Sequence, residues 1–282
     1  LLVAGLQCYQ YDDLKVNSYP IKFFTTLFVF LFLSLAINSQ ADDESIQELS
    51  YRSNDIKALE LTVLSQQIEQ RISTLRIISK SLASDSHIHA WVASGFPEAG
   101  EKTLLDKLGF YVNTYNLTSA SFADKSSNKY WNHEGFLRVL DPKIDTWYFK
   151  YVSTGDEQLI SIYHDKNKKR VDLYVNYQQV PGTGLSGVAT SFDSVLRSFQ
   201  RSNLTKNGNI FIVDKSGDIK VHPDIIFGRQ TIELDDIITS TLSNQLPNLK
   251  ATKYIEVDSP TTQYLIVAPI DETEWYVVFQ PH

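Results

Sequence analysis

The chain has 282 residues, more than one ordinary domain holds and short for three, so about two domains are expected. Hydrophobic residues make up 43% and charged residues 21%, which excludes a disordered chain, and 12 Gly with 9 Pro exclude collagen-like or low-complexity sequence. A net charge of -7 argues against a surface that coats nucleic acid, and the single cysteine, Cys8, excludes a disulfide framework and a cysteine-based zinc cluster.

Residues 1–20 read as an upstream or cytoplasmic segment. The sequence has no methionine and opens on Leu1-Leu2, so its first residue is not expected to be the natural start. Ile21–Ile37 is a run of 17 residues whose only charge is Lys22; at 1.5 Å per residue it gives roughly 25 Å of helix, the short edge of a membrane span. Lys15 and Lys22 precede the run, and Ser39-Gln40-Ala41 forms a small-x-small cleavage site before Asp42. Residues 21–41 are therefore a signal peptide or a transmembrane anchor. In either case the positive charge before the run and the acids after it place the following chain outside the cytoplasm.

From Asp42 the pattern is helical, and residues 42–97 read as one stalk-like helix ended by Gly95-Phe96-Pro97. Leu61, Leu64, Ile68, Leu75, Ile78 and Leu82 keep a three-four spacing, with Ile72 beside the seam and Arg71 at its one open position. Such a helix serves either as a surface helix on a sheet or as a stalk that pairs with its copy in a homodimer. A second helix spans Glu98–Tyr115, and then the period changes to two. Strands are expected at Ser119–Asp124, Tyr130–His133, Thr146–Ser153, Gln158–Asp165, Arg170–Val180 and Ser186–Phe192, with turn residues between them. Asp193–Arg201 reads as a helix and Asn203–Asn209 as a polar linker. The design then recurs in smaller form. A hairpin of Asn209–Asp214 and Ile219–His222 comes first. A helix near Leu234–Gln245 follows, and then strands at Thr252–Asp258, Gln263–Pro269 and Trp275–Gln280. Two α+β domains with antiparallel sheets, residues 98–205 and 206–282, thus follow one long helix.

Alternation puts Trp147, Phe149 and Tyr151 on one face of the first of three neighbouring strands, Ser161, Tyr163 and Asp165 on one face of the next, and Asp172, Tyr174 and Asn176 on one face of the third. Aromatic walls with a polar group on each strand make up a small-molecule site. The alternative is a sheet-face core whose tyrosine hydroxyls are satisfied internally. Tyr130 and Trp131 either roof the same site or pack in the core.

Five stretches occur in a telling order: DTWYFKY at Asp145–Tyr151, SIYHD at Ser161–Asp165, the hairpin from Leu173 to Asp193, NIFIVDKSGDIKVHPD at Asn209–Asp224, and ETEWYVVFQ at the end. In this order they resemble the extracellular double Cache (dCache) sensors of bacterial chemoreceptors, histidine kinases and diguanylate cyclases, over residues 42–282. The resemblance implies an α+β fold in which a long N-terminal helix precedes two tandem PAS-like (Cache) domains. It also implies a small molecule bound in the membrane-distal domain and a small helix displacement passed through an inner membrane from a periplasmic sensor. A second membrane helix would follow the last strand. The amino-acid-binding branch takes the ligand carboxylate on an Arg two residues before a Trp, and the ammonium on a Tyr-x-Asp pair and a later Asp. Here Trp147, Tyr163 and Asp165 match. Asp145 occupies the Arg position, and the later Asp falls at Phe192, with Asp193 one residue away. The resemblance therefore implies ligand-binding roles for Trp147, Tyr163, Asp165, Asp145 and Asp193, to which the strand faces add Tyr151, Tyr174 and Asn176, and a preference for a cation such as an amine unless Arg138 or Arg170 moves in.

No cofactor, metal or catalytic role is assigned, and no output module such as a kinase or cyclase core is visible. The alternative function is a secreted or singly anchored periplasmic solute-binding protein, cleaved after Ala41; an exported hydrolase is a third. Gly182-Thr183-Gly184-Leu185-Ser186-Gly187 matches a dinucleotide fingerprint in letters only, because Val188-Ala189-Thr190 after it reads as strand where a helix is needed. His87 and His89 lack a third ligand by spacing, and turn chemistry accounts for Asp214 and Asp218 ahead of His222.

Overall fold

The computed structural model describes the backbone of residues 22–165, 170–223 and 234–282, and side chains from residue 52 onward within those spans. The expected signal or anchor at 21–41 and the segment before it lie outside the residues described at that level; among the described residues no helix is long and apolar enough to cross a membrane. The chain divides into two compact units, residues 1–54 and 55–282, and both sheets belong to the second.

Helix α1 (Lys22–Ala83) buries the expected seam: Leu61, Leu64, Ile68, Ile72, Leu75, Ile78 and Leu82 are all inaccessible. Ile72 joins the seam, and two serines are buried beside it. Ser65 donates to the Pro269 carbonyl and Ser79 to the Ser186 carbonyl (3.0 Å), so each hydroxyl is satisfied by a strand. The helix ends about ten residues before the expected Gly95-Phe96-Pro97. Asp85 stops it, accepting from the N–H groups of His87 (2.9 Å) and Ile88 (3.1 Å) and so capping a separate short helix, α2 (Ser86–Ala93). Helix α3 (Glu98–Tyr115) then lies on the same core through Leu104 and Leu108.

The distal sheet contains β1 (Ser119–Asp124), β2 (Lys129–Asn132), β3 (Gly135–Val139), β4 (Gln158–Asp165), β5 (Arg170–Gln178) and β6 (Gly184–Ser191), in the order β3-β2-β1-β6-β5-β4 with every pair antiparallel. The stretch Thr146–Ser153, expected as a strand, is helix α4 (Thr146–Thr154). Its buried residues Tyr148 and Tyr151, with Val152 packed beside them, keep the three-four spacing of a helix face, and Gly155 ends it at φ 73°. Aromatic residues fit pleated surfaces, but here tertiary packing of that face decides the state. Phe149 consequently no longer shares a face with Trp147 and Tyr151. Strand β3 has no alternation to read because it is an edge strand with nearly every residue exposed.

Helix α5 (Asp193–Arg201) and a 3-10 turn (Asn203–Lys206) lead into the proximal sheet. That sheet contains β7 (Gly208–Asp214), β8 (Ile219–Val221), β9 (Lys253–Glu256), β10 (Tyr264–Ile270) and β11 (Trp275–Pro281), in the order β8-β7-β11-β10-β9, with helix α6 (Asp236–Gln245) between β8 and β9 in sequence. One apolar core runs along α1 and joins the two sheets: Phe122, Leu173, Val175 and Val188 from the distal sheet, and Ile210, Ile212, Val277 and Phe279 from the proximal one. The other face of each sheet is covered separately, by α4 on the distal sheet and α6 on the proximal sheet.

Candidate functional site

The distal face turned away from α1 is the candidate site. Register fixes its composition: Ser121 lies opposite Asn132 and Gly187, Ala123 opposite Tyr130 and Leu185, Asn176 opposite Gly187 and Leu159, and Tyr174 opposite Ala189 and Ser161. Side chains alternate across a strand, so these residues stand on one side together with Asp172, Tyr163 and Asp165. The two central strands, β1 and β6, contribute only small residues to the middle, namely Ser121, Gly187 and Ala189. Taller side chains rise on both flanks. A Cβ on Gly187 would lie 2.3 Å from Asn176 Oδ1 and 3.1 Å from Ser121 Oγ, so the floor is already as high as its neighbours permit.

The flanking tyrosines are desolvated. Burial pushes the Tyr130 phenol up against the opposing hydrogen bond from Ser121, and Tyr174 is pushed up to about 12 by burial first and by the Asp172 carboxylate second. The Tyr130 phenol is near enough to add to the Tyr174 shift, although β2 and β5 are separated by two strands. Both rings stand on the same side of the sheet and flank the small-residue floor. Tyr163, 57% exposed, meets Tyr174 edge-on at 6.4 Å between centroids and forms the outer rim. With their pKa values raised, the Tyr130 and Tyr174 phenols remain neutral donors at physiological pH.

Two ion pairs border this face. Arg138 on β3 grips Asp145 with Nε (3.3 Å to Oδ2) and Nη2 (2.5 Å to Oδ1), and the Asp141 N–H adds a third bond at 2.9 Å. Asp145 is 2% exposed, and the Arg138 hydrogen bond holds its carboxyl below the usual carboxylate range. Arg170 grips Asp172 through Nε (3.0 Å) and Nη2 (2.7 Å), which raises the guanidinium pKa, and Asp165 across the strand pair contributes in the same direction. Asp145 is thus a neutralised structural acid rather than an uncompensated charge facing a ligand.

The other expected residues are dispersed. Trp147, 41% exposed, sits on the first turn of α4 with its ring 5.9 Å from that of Tyr148. Tyr151 is buried, its hydroxyl spent on the carbonyls of Glu157 (2.8 Å) and Asn176 (3.3 Å), so it anchors α4 to the sheet. Gln178 completes that anchor, donating to the Tyr151 carbonyl at 3.1 Å. Asn176 is buried on the site face, and Asp193 opens α5, its N–H bonded to Ser191 Oγ at 3.2 Å. Phe192 turns into the α1 core. Trp131 is likewise core: it faces α1 with Trp91 (5.0 Å) and Phe96 (5.5 Å). Ser121, Gly187 and the Arg138–Asp145 pairing escape a reading of aromatic strands. The alternation of Ser119, Ser121 and Ala123 in β1 was the available signal for the floor.

Among the described residues no group of three His, Cys, Asp or Glu could hold a metal ion. His89 spends Nε2 on the Ala83 carbonyl (2.8 Å), and Asp214 accepts from Ser216 N (2.9 Å) and Asp218 N (3.1 Å), as turn chemistry requires. The glycine-rich segment leads into strand β6.

No protein-family model matches the sequence. Among solved structures the chain is similar to the sensory domain of the Campylobacter jejuni chemoreceptor Tlp3 with isoleucine bound, at 15% identity and a TM-score of 0.58, over 82% of this chain and 93% of that one. It is also similar to the ligand-binding domain of the Pseudomonas aeruginosa amino-acid chemoreceptor PctC in complex with GABA (16% identity, TM-score 0.52, 81% and 97% covered). A third similar structure is the ligand-binding domain of the Pseudomonas fluorescens chemoreceptor CtaA with L-leucine (14% identity, TM-score 0.52, 83% and 95% covered). Identities this low bear on fold, and the fold is that of these double Cache domains: a long helix followed by two antiparallel sheets.

Proposed function

We propose that this chain is the extracytoplasmic ligand-sensing module of a bacterial transmembrane signal transducer, and that the distal site face takes a small molecule bearing an amino group, an amine or an amino-acid-like compound. The carrying observation is the pair of desolvated phenols, Tyr130 and Tyr174, flanking a floor of Ser121, Gly187 and Ala189 on one sheet face. An aromatic wall attracts a cation through the ring quadrupole. Both guanidiniums on this face already hold carboxylates, which disfavours a ligand whose main handle is its own carboxylate. The proximity of these structures to chemoreceptor domains crystallised with isoleucine, GABA and L-leucine supports the amino-group reading.

Relay through α1 is part of the proposal. Ser79 and Arg71 reach from α1 to Ser186 and Thr190 of β6, the strand that carries the floor residues Gly187 and Ala189 on its other face. A ligand that binds one position of β6 better than another biases α1 accordingly. The Ile21–Ile37 run would supply the anchor. A homodimer would cover Ile56, Leu59, Val63 and Ile77, which are exposed on the side of α1 away from the buried seam. This reading assigns no catalytic step to the chain.

The test is a thermal-shift screen of the full chain against amines, amino acids, carboxylates, nucleobases and sugars. A specific ligand stabilises by about 2.7 kcal/mol at a hundredfold excess over Kd. Amine hits lost in Asp165→Ala and Tyr174→Ala support the proposal. Binding by amino acids but not amines removes the amine preference, and silence in every class removes the site.

A further inference from the structure

Strand β4 belongs to two places at once, and its alternation separates them. Leu159, Ser161, Tyr163 and Asp165 stand on the site face, as their register with β5 requires. Ile160, Ile162 and His164 point the other way. Ile160 and Ile162 pack on the core that also contains Ile210, Ile212 and Val221 of the proximal sheet. His164 reaches that domain directly: its Nε2 lies 3.0 Å from the carbonyl oxygen of Lys220 on β8. A carbonyl only accepts, so Nε2 carries the proton and donates.

Lys220 is fixed at its far end as well. Its ammonium pairs with Asp214 at 2.6 Å, and Asp214 in turn receives the N–H groups of the β7–β8 turn. Strand β8 is three residues long and lies at the edge of its sheet, so its position depends on such contacts more than that of a central strand does. The start of β4 is bordered differently. There a cleft of about 520 Å³ separates Asp156 and Gln158–Ile160 from Glu272–Trp275 of the proximal domain. The strand is thus spaced from the proximal domain at one end and hydrogen-bonded to it at the other.

We infer that His164 is a positioning residue that couples the distal site to the proximal domain: displacing Tyr163 or Asp165 moves the imidazole between them, the Lys220 carbonyl and β8. The inference rests on the reading of the distal face as a ligand site, and it differs from relay through α1 because it crosses between the domains by a side chain of the ligand strand itself. Tyr163, His164 and Asp165 are consecutive on one pleated backbone, so a shift of that backbone at the site face is carried to the imidazole on the other face.

Amide hydrogen exchange of the full chain, followed at β8, tests it without any ligand. Tyr163→Ala perturbs the site side and His164→Ala the joint side; His164→Gln keeps an N–H donor of similar reach. The expected result is a change of about threefold or more in β8 exchange caused by Tyr163→Ala, absent in the His164→Ala background and present again in the His164→Gln background. A purely structural His164 would give effects that add. The inference is overturned by β8 exchange indifferent to Tyr163→Ala, or by an undiminished Tyr163→Ala effect once His164 is alanine. Failure of the sensing proposal is read separately, as silence in the thermal-shift screen with this coupling intact.

Discussion

The distal and proximal sheets share the backing of α1 and differ on the face each turns away from it. On the proximal sheet that face is filled by Phe211, Val213, Leu265, Val267 and Val278 under Ile238, Leu242 and Leu246 of α6 and the turn after it. On the distal sheet the corresponding layer is partly aliphatic only under α4, where Ala123, Leu140, Tyr148, Tyr151 and Leu185 meet. The remainder is Ser121, Gly187, Ala189, Asn176 and Asp172 between tyrosines. The same architecture thus yields a closed core in one domain and a polar, aromatic-walled face in the other. Filling a sheet face with aliphatic side chains secures stability, whereas leaving it small and polar provides a place for a ligand.

Phe211→Ala should break the proximal side of this contrast hardest. It removes a wholly buried ring and should cost about 3–5 kcal/mol in urea denaturation, with little change in distal ligand binding. Arg138→Ala should come next, at about 1–3 kcal/mol, because it strands the buried Asp145 while water still reaches one edge of the site. Its pH dependence has a definite sign. The Asp145 pKa is lowered in the folded state, so the pair stabilises fully above the unfolded carboxylate value of about 3.9 and loses its contribution as pH falls through the lower folded value. Denaturation midpoints of wild type and Arg138→Ala should converge as the pH is taken below 4 on that scale, and a gap that widens in acid would contradict the pairing.

Gly187→Ala sharpens the distal side. The new methyl meets Asn176 Oδ1, the end of a side chain that can give way, so a cost of about 1 kcal/mol is expected together with weakened ligand binding. Tyr174→Phe is the mildest in stability, within about 1 kcal/mol, since it removes one hydroxyl and no ring. Titration calorimetry with a hit from the screen should nevertheless show weaker binding, and an unchanged Kd would assign Tyr174 to the wall alone.

Much of this molecule was legible from residue order. The three-four spacing of Leu61 through Leu82 announced the buried seam of α1, and the bounds of α3, β1, β4 and α5 coincide with those expected from periodicity. Where the local signal was divided, the reading failed. Trp147, Phe149 and Tyr151 alternate like a strand, while Tyr148, Tyr151 and Val152 are spaced like a helix, and only the core beneath α4 selects between the two. Asp85 carried a helix-capping signal that the surrounding hydrophobic pattern obscured.

Sequence by itself therefore determined the long helix, the antiparallel sheets and which residues of β1, β4 and β5 share a face, because hydrophobic period and turn chemistry are local properties. Tertiary structure alone decided the charges and the joint: that Arg138 neutralises Asp145, that Arg170 neutralises Asp172, and that His164 meets the Lys220 carbonyl. Arg138 and Asp145 lie on different elements, His164 and Lys220 in different domains, and even for Arg170 and Asp172, two residues apart on β5, the electrostatic sense depends on burial and distance.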